Sequence, residues 1–349
     1  MSQDPNSIID ILSLNEHING VSESQIIIFV DENTQVHCLP ILQNLLPKLK
    51  NAHSYCLPSG EVNKNLDSCE LAWAKMSELA LSRHALVINL GGGVLCDMGG
   101  LIASLFKRGV KFINIPTTLL AMVDAAYGGK VAVDFNGLKN QIGLFSYAEK
   151  IVLHRDFLQT LAHEELTNGF AEMLKHALIT DRDYWLHLNK INVSNLSRID
   201  IVKSLQIKQS IVSIDPTEQN ERKMLNFGHT VGHAIESLYL DSPNPLKHGQ
   251  SVAIGMLIES LMSRNLGLLS DSDFVMIAAF FKKTFNLPVD LHLQIDHLFE
   301  YMKNDKKNTN NEVKCVLLKA IGHAVVDQTI SKNDVQKAFN EIYFNFSLL

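Results

Sequence analysis

The first half of the chain alternates short apolar runs with stretches of helical spacing. Residues 25–30, 86–90 and 111–115 are almost continuously apolar and have the length of β-strands. Strands that are apolar on both faces are typical of parallel sheets covered by helices on both sides. Residues 66–82 and 94–107 place their apolar positions at helical intervals and follow two of these strand-like regions. The pattern therefore predicts an α/β domain built on a parallel sheet.

Beyond about residue 156 the strand pattern gives way to long helical segments. The predicted helices span residues 164–179, 199–214, 229–239, 248–265 and 271–284, and a predicted strand follows at 313–318. A chain of 349 residues exceeds the usual size of one hydrophobic core, so we expect two domains. We predict an N-terminal α/β domain over residues 1–156 and a mainly α-helical domain over residues 157–349.

Composition and charge exclude several classes of protein. Hydrophobic residues make up 46% of the chain and charged residues 19%, which excludes extensive disorder. The net charge of −6 argues against a nucleic-acid partner, and no apolar segment is long enough to cross a membrane. The five cysteines are scattered without a C-x-x-C pair, and the first residues lack the features of a secretory signal. We therefore expect reduced thiols and a cytoplasmic protein.

Two histidines, His229 and His233, stand four residues apart in a predicted helix that is rich in small residues. Residues at this spacing share one helical face, and imidazoles on a rigid helix are common ligands of a catalytic metal. Such a pair also occurs on many helix surfaces, so further donors are needed to decide. Glu172 on another predicted helix and His248 at the start of a third offer a carboxylate and an imidazole. Alternatively, Glu172 would form a surface ion pair with Lys175, three residues later.

Glycines and hydroxyl residues follow the predicted strands of the first half. The three glycines at 91–93 lie between a strand and a helix, where backbone N–H groups can approach a phosphate. The segment is not a G-x-G-x-x-G fingerprint, because Cys96 replaces the last glycine, and a purely structural turn is the alternative. Asp31 follows the first strand, and Thr117 and Thr118 follow the third. Ligands bind at such carboxyl strand ends, so we interpret this edge as a dinucleotide site.

Several cations lie in polar or glycine-rich segments and are candidates for binding a small anion. Gly128-Gly129-Lys130 resembles the end of a P-loop, but Val131 replaces the required Ser or Thr, which excludes a nucleoside triphosphatase of that type. Lys130 and Lys139 still suit contact with a phosphate, with solvated loop lysines as the alternative. Lys208 and Arg222 precede the histidine helix, and their spacing alone does not distinguish anion binding from solvated charge.

Taken together, these segments resemble the 3-dehydroquinate synthase family of sugar-phosphate cyclases over about residues 31–322. The matching blocks occur in one order and are Gly91-Gly92-Gly93 with Asp97, Lys107-Arg108-Gly109-Val110, Pro116-Thr117-Thr118, Val123-Asp124, Gly128-Gly129-Lys130, Lys139-Asn140, Glu172 with Lys175, and Asn226 to His233. Agreement over so many separated blocks is specific, whereas no single block would be. Residues 125–127, 131–134 and Asn220 depart from the commonest family pattern, which affects loop geometry more than chemistry.

The resemblance implies a dehydroquinate synthase-like fold and a homodimer that binds NAD and a divalent metal, usually zinc, with cobalt as an alternative. It assigns the metal to Glu172, His229 and His248, and so separates His229 from His233. The residues implied at the NAD site are Asp31, Glu61, Lys64, Gly92, Gly93, Asp97, Thr117, Thr118, Lys130, Lys139 and Thr160. Those implied at the substrate phosphate are Lys130, Asn140, Asn226, His233 and Lys306, with Arg108 of the partner subunit. Lys208 and Arg222 would bind the substrate carboxylate, and its hydroxyls would face Asp124, Lys175 and Glu218.

The family's reaction converts 3-deoxy-D-arabino-heptulosonate 7-phosphate into 3-dehydroquinate and phosphate. The steps implied are transient oxidation by NAD, elimination of phosphate, reduction, and intramolecular aldol closure. A metal-dependent NAD dehydrogenase of the polyol or glycerol type is a rival, but it would not need two groups of anion-binding residues. Another sugar-phosphate cyclase, acting on a substrate without a carboxylate, would not need Lys208 and Arg222. A non-catalytic descendant would be expected to lose a metal ligand or lysine, and none is missing.

Overall fold

The computed structural model describes residues 7–136, 138–239, 242, 244–285, 294–303 and 313–345. The chain divides into two compact units. Unit 1 comprises Met1–Leu166 and Ser197–Gln209, and unit 2 comprises Thr167–Leu196 and Ser210–Leu349. Among the described residues, no helix has both the length and the apolar character that a membrane crossing requires.

The secondary-structure elements are numbered in chain order. The strands are β1 (Ile8–Ile9), β2 (Ile26–Val30), β3 (His53–Cys56), β4 (Leu86–Gly91), β5 (Lys111–Pro116), β6 (Lys130–Phe135), β7 (Leu138–Phe145), β8 (Lys150–Val152), β9 (Val313–Ala320) and β10 (His323–Ile330). The α-helices are α1 (Leu14–Ile18), α2 (Glu32–His37), α3 (Leu39–Leu45), α4 (Leu66–Glu78), α5 (Gly93–Leu105), α6 (His163–Thr180), α7 (Arg182–Leu188), α8 (Arg198–Ile214), α9 (His229–Tyr239), α10 (His248–Asn265), α11 (Asp271–Thr284), α12 (Ile295–Lys303) and α13 (Lys332–Asn345). Short 3-10 helices span Glu23–Gln25, Pro47–Lys50, Glu61–Asn63, Phe106–Arg108, Arg155–Thr160, Val193–Asn195 and Glu221–Asn226, and a π-helical turn spans Ala121–Ala125.

Unit 1 is built on a six-stranded sheet in the order β1-β8-β5-β4-β2-β3, and each neighbouring pair is parallel. The three strands predicted from the apolar runs are confirmed as β2, β4 and β5, and every residue of β2 and β4 is buried. Burial on both faces explains why these strands are almost continuously apolar. The order makes β2, β4 and β5 neighbours, so their carboxyl ends meet at one edge of the sheet. Asp31, Gly92 and Thr117 follow these ends and share that edge.

A two-stranded hairpin follows the π-helical turn in unit 1. Strands β6 and β7 pair antiparallel, with Lys130 opposite Phe145. Residues of β7 are almost all exposed, including the apolar side chains of Leu138, Leu144 and Phe145. This hairpin was not predicted, because an exposed strand with polar residues in its middle shows no apolar run.

Unit 2 is mainly helical, and its most buried helix is α10. Residues of α10 from Ser251 to Ser263 are all buried, which accounts for its largely apolar sequence. The predicted strand at 313–318 is confirmed as β9, which pairs antiparallel with β10, a strand that was not predicted. A parallel-sheet α/β unit and a mainly helical unit make up the fold, as the sequence pattern predicts.

Candidate functional site

Three helices of unit 2 bring together one carboxylate and two imidazoles. Glu172 of α6 is fully buried, and its Oε1 lies 3.3 Å from Nε2 of His229 at the start of α9. The same oxygen lies 3.6 Å from Nε2 of His248 at the start of α10. Two ligands that are each about 2.0–2.1 Å from a tetrahedral zinc are separated by roughly 3.3 Å. The three side chains are therefore spaced as the ligands of one metal ion would be.

The other ring nitrogen of each histidine has its own partner. Nδ1 of His229 lies 3.1 Å from the backbone oxygen of Phe227. Nδ1 of His248 lies 3.1 Å from Oε2 of Glu236, a residue of α9. A partner of this kind orients a histidine so that Nε2 is presented to a metal. Glu236 was not identified from the sequence, although it lies seven residues after His229 and therefore near the same helical face.

The charge of the buried Glu172 carboxylate must be balanced by nearby cations. Neither of its carboxylate oxygens meets a hydrogen-bond donor in good geometry among the described residues, although Lys175 contacts Oε2 and both histidines lie within ion-pair distance. A buried carboxylate without directed hydrogen bonds is costly unless cations or a metal surround it. This donor set fits a divalent cation.

Charges at the cluster also suit a metal. Burial alone would raise the pKa of Glu172, but Lys175 and His229 hold that pKa well below its ordinary value. Burial and the charge of Lys175 lower the pKa of His229, which keeps its imidazole neutral. Against the effect of burial, Glu172 and Glu236 raise the pKa of His248 to about 10. A divalent cation would therefore replace the proton on His248, because metal ligation requires the neutral imidazole.

His233 lies one helical turn after His229 and is exposed. Its ring centroid is 5.0 Å from that of His229 and 5.8 Å from that of His248. One ring nitrogen from each of these three histidines lies within 4.8 Å of the other two, so the histidines form a second possible ligand set. The set that contains Glu172 is more buried. Helical spacing alone would not distinguish the two sets.

The start of α10 is held by α6. The side-chain oxygen of Asn168, one turn before Glu172, accepts a short hydrogen bond from the backbone N–H of Gly249. A Cβ at Gly249 would lie 2.2 Å from the backbone oxygen of Asn168, so only glycine fits there. This contact sets the position of His248 relative to Glu172.

A tight loop before α9 contains three predicted substrate residues. The buried carboxylate of Asp215 accepts from the backbone N–H groups of Gln219, Asn220 and Arg222 at 3.0, 2.6 and 3.1 Å. Burial raises the pKa of Asp215, but these bonds outweigh it and hold the pKa below its ordinary value. The loop places Nδ2 of Asn226 at 2.7 Å from Oε1 of Glu218.

The buried Arg222 donates from its guanidinium to the backbone oxygen of Pro216 at 2.6 Å. Asp215 was not identified from the sequence, although an Asp-Pro pair at a helix end is a turn signal.

In unit 1 the strand ends lie close to one another. Gly92 precedes α5, and a Cβ added to it would lie 3.2 Å from Cγ2 of Thr118. The backbone N–H of Thr117 donates to the backbone oxygen of Gly91 at 3.0 Å. Asp31 accepts from the backbone N–H of Thr34 at 2.7 Å and so caps α2. The carboxylate expected at a ribose therefore also has a structural role.

The buried Lys64 links two more predicted residues of unit 1. Nζ of Lys64 lies 2.7 Å from Oδ2 of Asp97 and 2.7 Å from Oδ1 of Asn140. Burial raises the pKa of Asp97, and Asp97 in turn raises the pKa of Lys64 despite the lysine's burial. Lys139 and Glu61 are both exposed and lie 3.9 Å apart. Asn140, implied at the phosphate, is thus placed beside two residues implied at NAD.

Lys208 belongs to unit 1 and binds Asp124 of the π-helical turn. Its Nζ lies 2.7 Å from Oδ1 and 2.6 Å from the backbone oxygen of Asp124. Lys130 is exposed at the start of β6 and lines a small recess together with Asp97. Thr160 is exposed at the end of a 3-10 helix.

Three of the predicted residues have a backbone conformation that is rare for residues other than glycine. The φ angles of Arg108, Asn140 and Glu218 are +70°, +53° and +63°. Such conformations are costly and are concentrated at functional sites. Lys208 and Arg222, implied at one carboxylate, fall in different units. Lys306 lies outside the described residues.

Comparisons with known proteins agree over almost the whole chain. A family model described as 3-dehydroquinate synthase N-terminal matches residues 54–168, and one described as 3-dehydroquinate synthase C-terminal matches residues 169–308. A 3-dehydroquinate synthase from Parabacteroides distasonis is 35% identical over 94% of this chain and 94% of its own length. Another from Geobacillus thermodenitrificans is 39% identical over 79% of this chain and 76% of its own length.

Among solved structures, a 2-epi-5-epi-valiolone synthase from Streptomyces hygroscopicus, with NAD+ and Zn2+ bound, is similar in fold. Its TM-score is 0.84 at 23% sequence identity, and the match covers 99% of this chain and 98% of that chain. The similarity to this solved structure shows the fold, whereas the family models and the sequence relatives show the protein family. The chain belongs to the 3-dehydroquinate synthase family.

Proposed function

We propose that this protein is a 3-dehydroquinate synthase that converts 3-deoxy-D-arabino-heptulosonate 7-phosphate into 3-dehydroquinate and phosphate. The observation that carries the proposal is the cluster of Glu172, His229 and His248, in which a buried carboxylate faces two oriented imidazoles. Relatives that are similar to this chain over most of its length are named for this activity.

The proposed cofactors are a divalent metal, most simply zinc, and NAD. Glu172, His229 and His248 would hold the metal, as the lack of well-directed donors to Glu172 supports. The residues proposed at NAD are those at the carboxyl strand ends and around Lys64, namely Asp31, Glu61, Lys64, Gly92, Gly93, Asp97, Thr117, Thr118, Lys130, Lys139 and Thr160. When bound, NAD would accept and later return a hydride, and the metal would make a substrate hydroxyl more acidic.

The substrate has two anionic ends, and cations are proposed for both. Lys208 and Arg222 would bind the carboxylate, and the tight loop formed by Asp215 supports a fixed position for Arg222. A guanidinium suits this role, because it can donate two parallel hydrogen bonds to one carboxylate.

Several residues are proposed to bind the phosphate end. Those proposed are Lys130, Asn140, Asn226, His233 and Lys306, with Arg108 of the partner subunit. His233 is exposed and one turn from His229, so a substrate held by the metal would lie near its imidazole. After oxidation of the neighbouring carbon, one C–H proton would pass to the departing phosphate, the C–H electron pair would form a C=C bond, and cleavage of the C–O bond would release the phosphate. These residues would orient that leaving group and stabilise its charge.

Asp124, Lys175 and Glu218 are proposed to position the substrate hydroxyls. Lys208 fixes Asp124 through two contacts, and Asn226 donates to Glu218. These groups would act as hydrogen-bond partners that keep the reacting carbons in one orientation.

We further propose a cytoplasmic homodimer. All five cysteines are free, which suits a reducing compartment. Exposed Arg108 has an unusual backbone conformation, and the β6–β7 hairpin exposes Phe135, Leu138 and Phe145. Exposed apolar side chains of this kind are common where a second subunit packs.

Phosphate release tests the proposed reaction. The purified protein, loaded with zinc, is given the heptulosonate phosphate and a small amount of NAD, with and without a chelator. We expect many phosphates released per NAD, no net NADH, and loss of release with chelator that added zinc restores. Net NADH production from polyols would instead indicate a dehydrogenase, and no phosphate release by the folded, metal-loaded protein would refute the proposal.

A further inference from the structure

Helix α9, which begins with His229, has no capping side chain of its own. The residue before it, Gly228, has φ +77° and its backbone oxygen accepts the first helical bond, from Gly232 at 3.0 Å. A Cβ at Gly228 would lie 2.3 Å from the side chain of Met256 and 2.9 Å from the backbone oxygen of Val252. No residue with a side chain fits there, so the usual Ser, Asp or Asn cap is excluded.

Glu259 of α10 provides the missing cap from a different helix. Its Oε2 accepts from the backbone N–H of Gly228 at 2.6 Å, and its Oε1 accepts from that of Val231 at 3.2 Å. In a capping box, these two N–H groups bind side chains of the same helix. Here a single carboxylate, 0% exposed, accepts from both. Its negative charge lies at the positive end of the α9 dipole, which favours it there.

Glu259 can reach the first turn of α9 because α9 and α10 are in close contact. A Cβ at Gly255 would lie 2.0 Å from the backbone oxygen of Gly228 and 2.7 Å from the backbone nitrogen of Gly232. The two backbones therefore touch at these glycines. Glu259 follows Gly255 by four residues and so lies on the same face of α10.

The two helices are joined by carboxylates in both directions. Glu236 of α9 binds His248 of α10, and Glu259 of α10 binds the first turn of α9, which contains His229. Each histidine of the proposed metal site is thus positioned by a carboxylate from the opposite helix. His229 stands between the two residues whose N–H groups Glu259 binds.

We infer that Glu259 is a positioning residue for the metal centre, one that sets the place of His229 without touching the metal. This inference rests on the proposed metal site. Removal of the carboxylate would leave two buried N–H groups without an acceptor, and the first turn of α9 would adopt several positions. His229 would then match the geometry of Glu172 and His248 for only part of the time, and metal affinity would fall.

The test compares three variants by zinc affinity, measured on the folded protein by competition with a chelating dye. Glu259→Ala removes the cap, and Glu259→Gln keeps one acceptor oxygen but turns an amide N–H toward the helix. Ser260→Ala is the matched control, because it removes a neighbouring buried hydroxyl that makes no hydrogen bond with the described residues. We expect a loss of about 10- to 100-fold in zinc affinity for Glu259→Ala, as for other residues that orient ligands, and a smaller loss for Glu259→Gln. The affinity of Ser260→Ala should be unchanged.

A second measurement separates positioning from a general effect on stability. The visible absorption of the cobalt-loaded protein reports ligand geometry, and we expect it to change in the Glu259 variants alone. A lower melting temperature with unchanged zinc affinity and an unchanged cobalt spectrum would overturn the inference. If Glu259→Ala does not fold, Glu259→Gln alone decides. Absence of zinc binding by the wild-type protein would refute the metal site itself, and the inference with it.

Discussion

Replacement of Glu236 by Gln tests how the metal site is organised. The substitution keeps the shape of the side chain and removes its charge. Oε2 of Glu236 lies 3.1 Å from Nδ1 of His248, and the two residues belong to different helices. A carboxylate in this position both orients the imidazole and makes Nε2 a stronger donor to the metal.

The size of the effect follows from this contact. A hydrogen bond to a charged group contributes about 1.5–3 kcal/mol, and the amide oxygen of Gln would keep part of it. Loss of a partner of a metal-bound histidine typically lowers affinity about 10- to 100-fold, which is roughly 1.4–2.7 kcal/mol. We therefore expect Glu236→Gln to weaken zinc binding by about 10-fold or somewhat more.

The assay is competition between the folded protein and a chelating dye for zinc, and Glu300→Gln is the control. Glu300 is exposed, and its ion pair within the described part of the chain is with Lys303 of the same helix, so its substitution should leave zinc affinity unchanged. Melting in excess chelator checks that both variants are folded. Equal zinc affinity for wild type and Glu236→Gln would refute the proposed role of the carboxylate.

Substitutions at three further positions test stability and the loop that holds Arg222. Gly255→Ala should destabilise the protein by roughly 3 kcal/mol in urea unfolding, because the new Cβ would lie 2.0 Å from the backbone oxygen of Gly228. An unchanged free energy of unfolding would contradict the close contact between α9 and α10. Lys64→Met should lower the free energy of unfolding by about 2 kcal/mol, since it leaves the mostly buried carboxylate of Asp97 without its cation, and an unchanged urea midpoint would contradict this. Asp215→Asn should raise the KM for substrate more than it lowers kcat, because the loop that holds Arg222 loses its acceptors. The folded pKa of Asp215 is lowered, so its stabilisation is present above its unfolded pKa of about 4 and is lost as the pH falls through the folded value. Stability should therefore fall less steeply with acid in Asp215→Asn than in wild type, and parallel acid profiles would contradict this.

Much of the fold follows from the sequence because burial imposes its own pattern. Strands β2, β4 and β5 are covered on both faces, so each is an almost continuous apolar run. Strand β7 of the β6–β7 hairpin is exposed along most of its length, so its sequence contains no apolar run that would predict it. An edge strand such as β3, which begins with His53 and Ser54, is too polar to be recognised in this way.

The candidate site was predictable in part. Helical spacing pairs His229 with His233, but it cannot show which residue of another helix lies opposite. The family resemblance suggested Glu172 and His248, and their spacing from His229 supports that choice. Carboxylates that accept from the backbone or from a histidine of a distant segment, such as Glu259, leave no local pattern in the sequence.

Helix α9 carries both a proposed metal ligand, His229, and a proposed phosphate-binding residue, His233, and the metal content of three variants distinguishes these two roles. His229→Ala, His248→Ala and His233→Ala are purified in parallel, and bound zinc and phosphate release are measured for each. We expect the first two variants to lose zinc and activity, whereas His233→Ala should keep zinc at the wild-type level and lose turnover. Loss of zinc from His233→Ala, or retention of zinc by His248→Ala, would contradict this assignment.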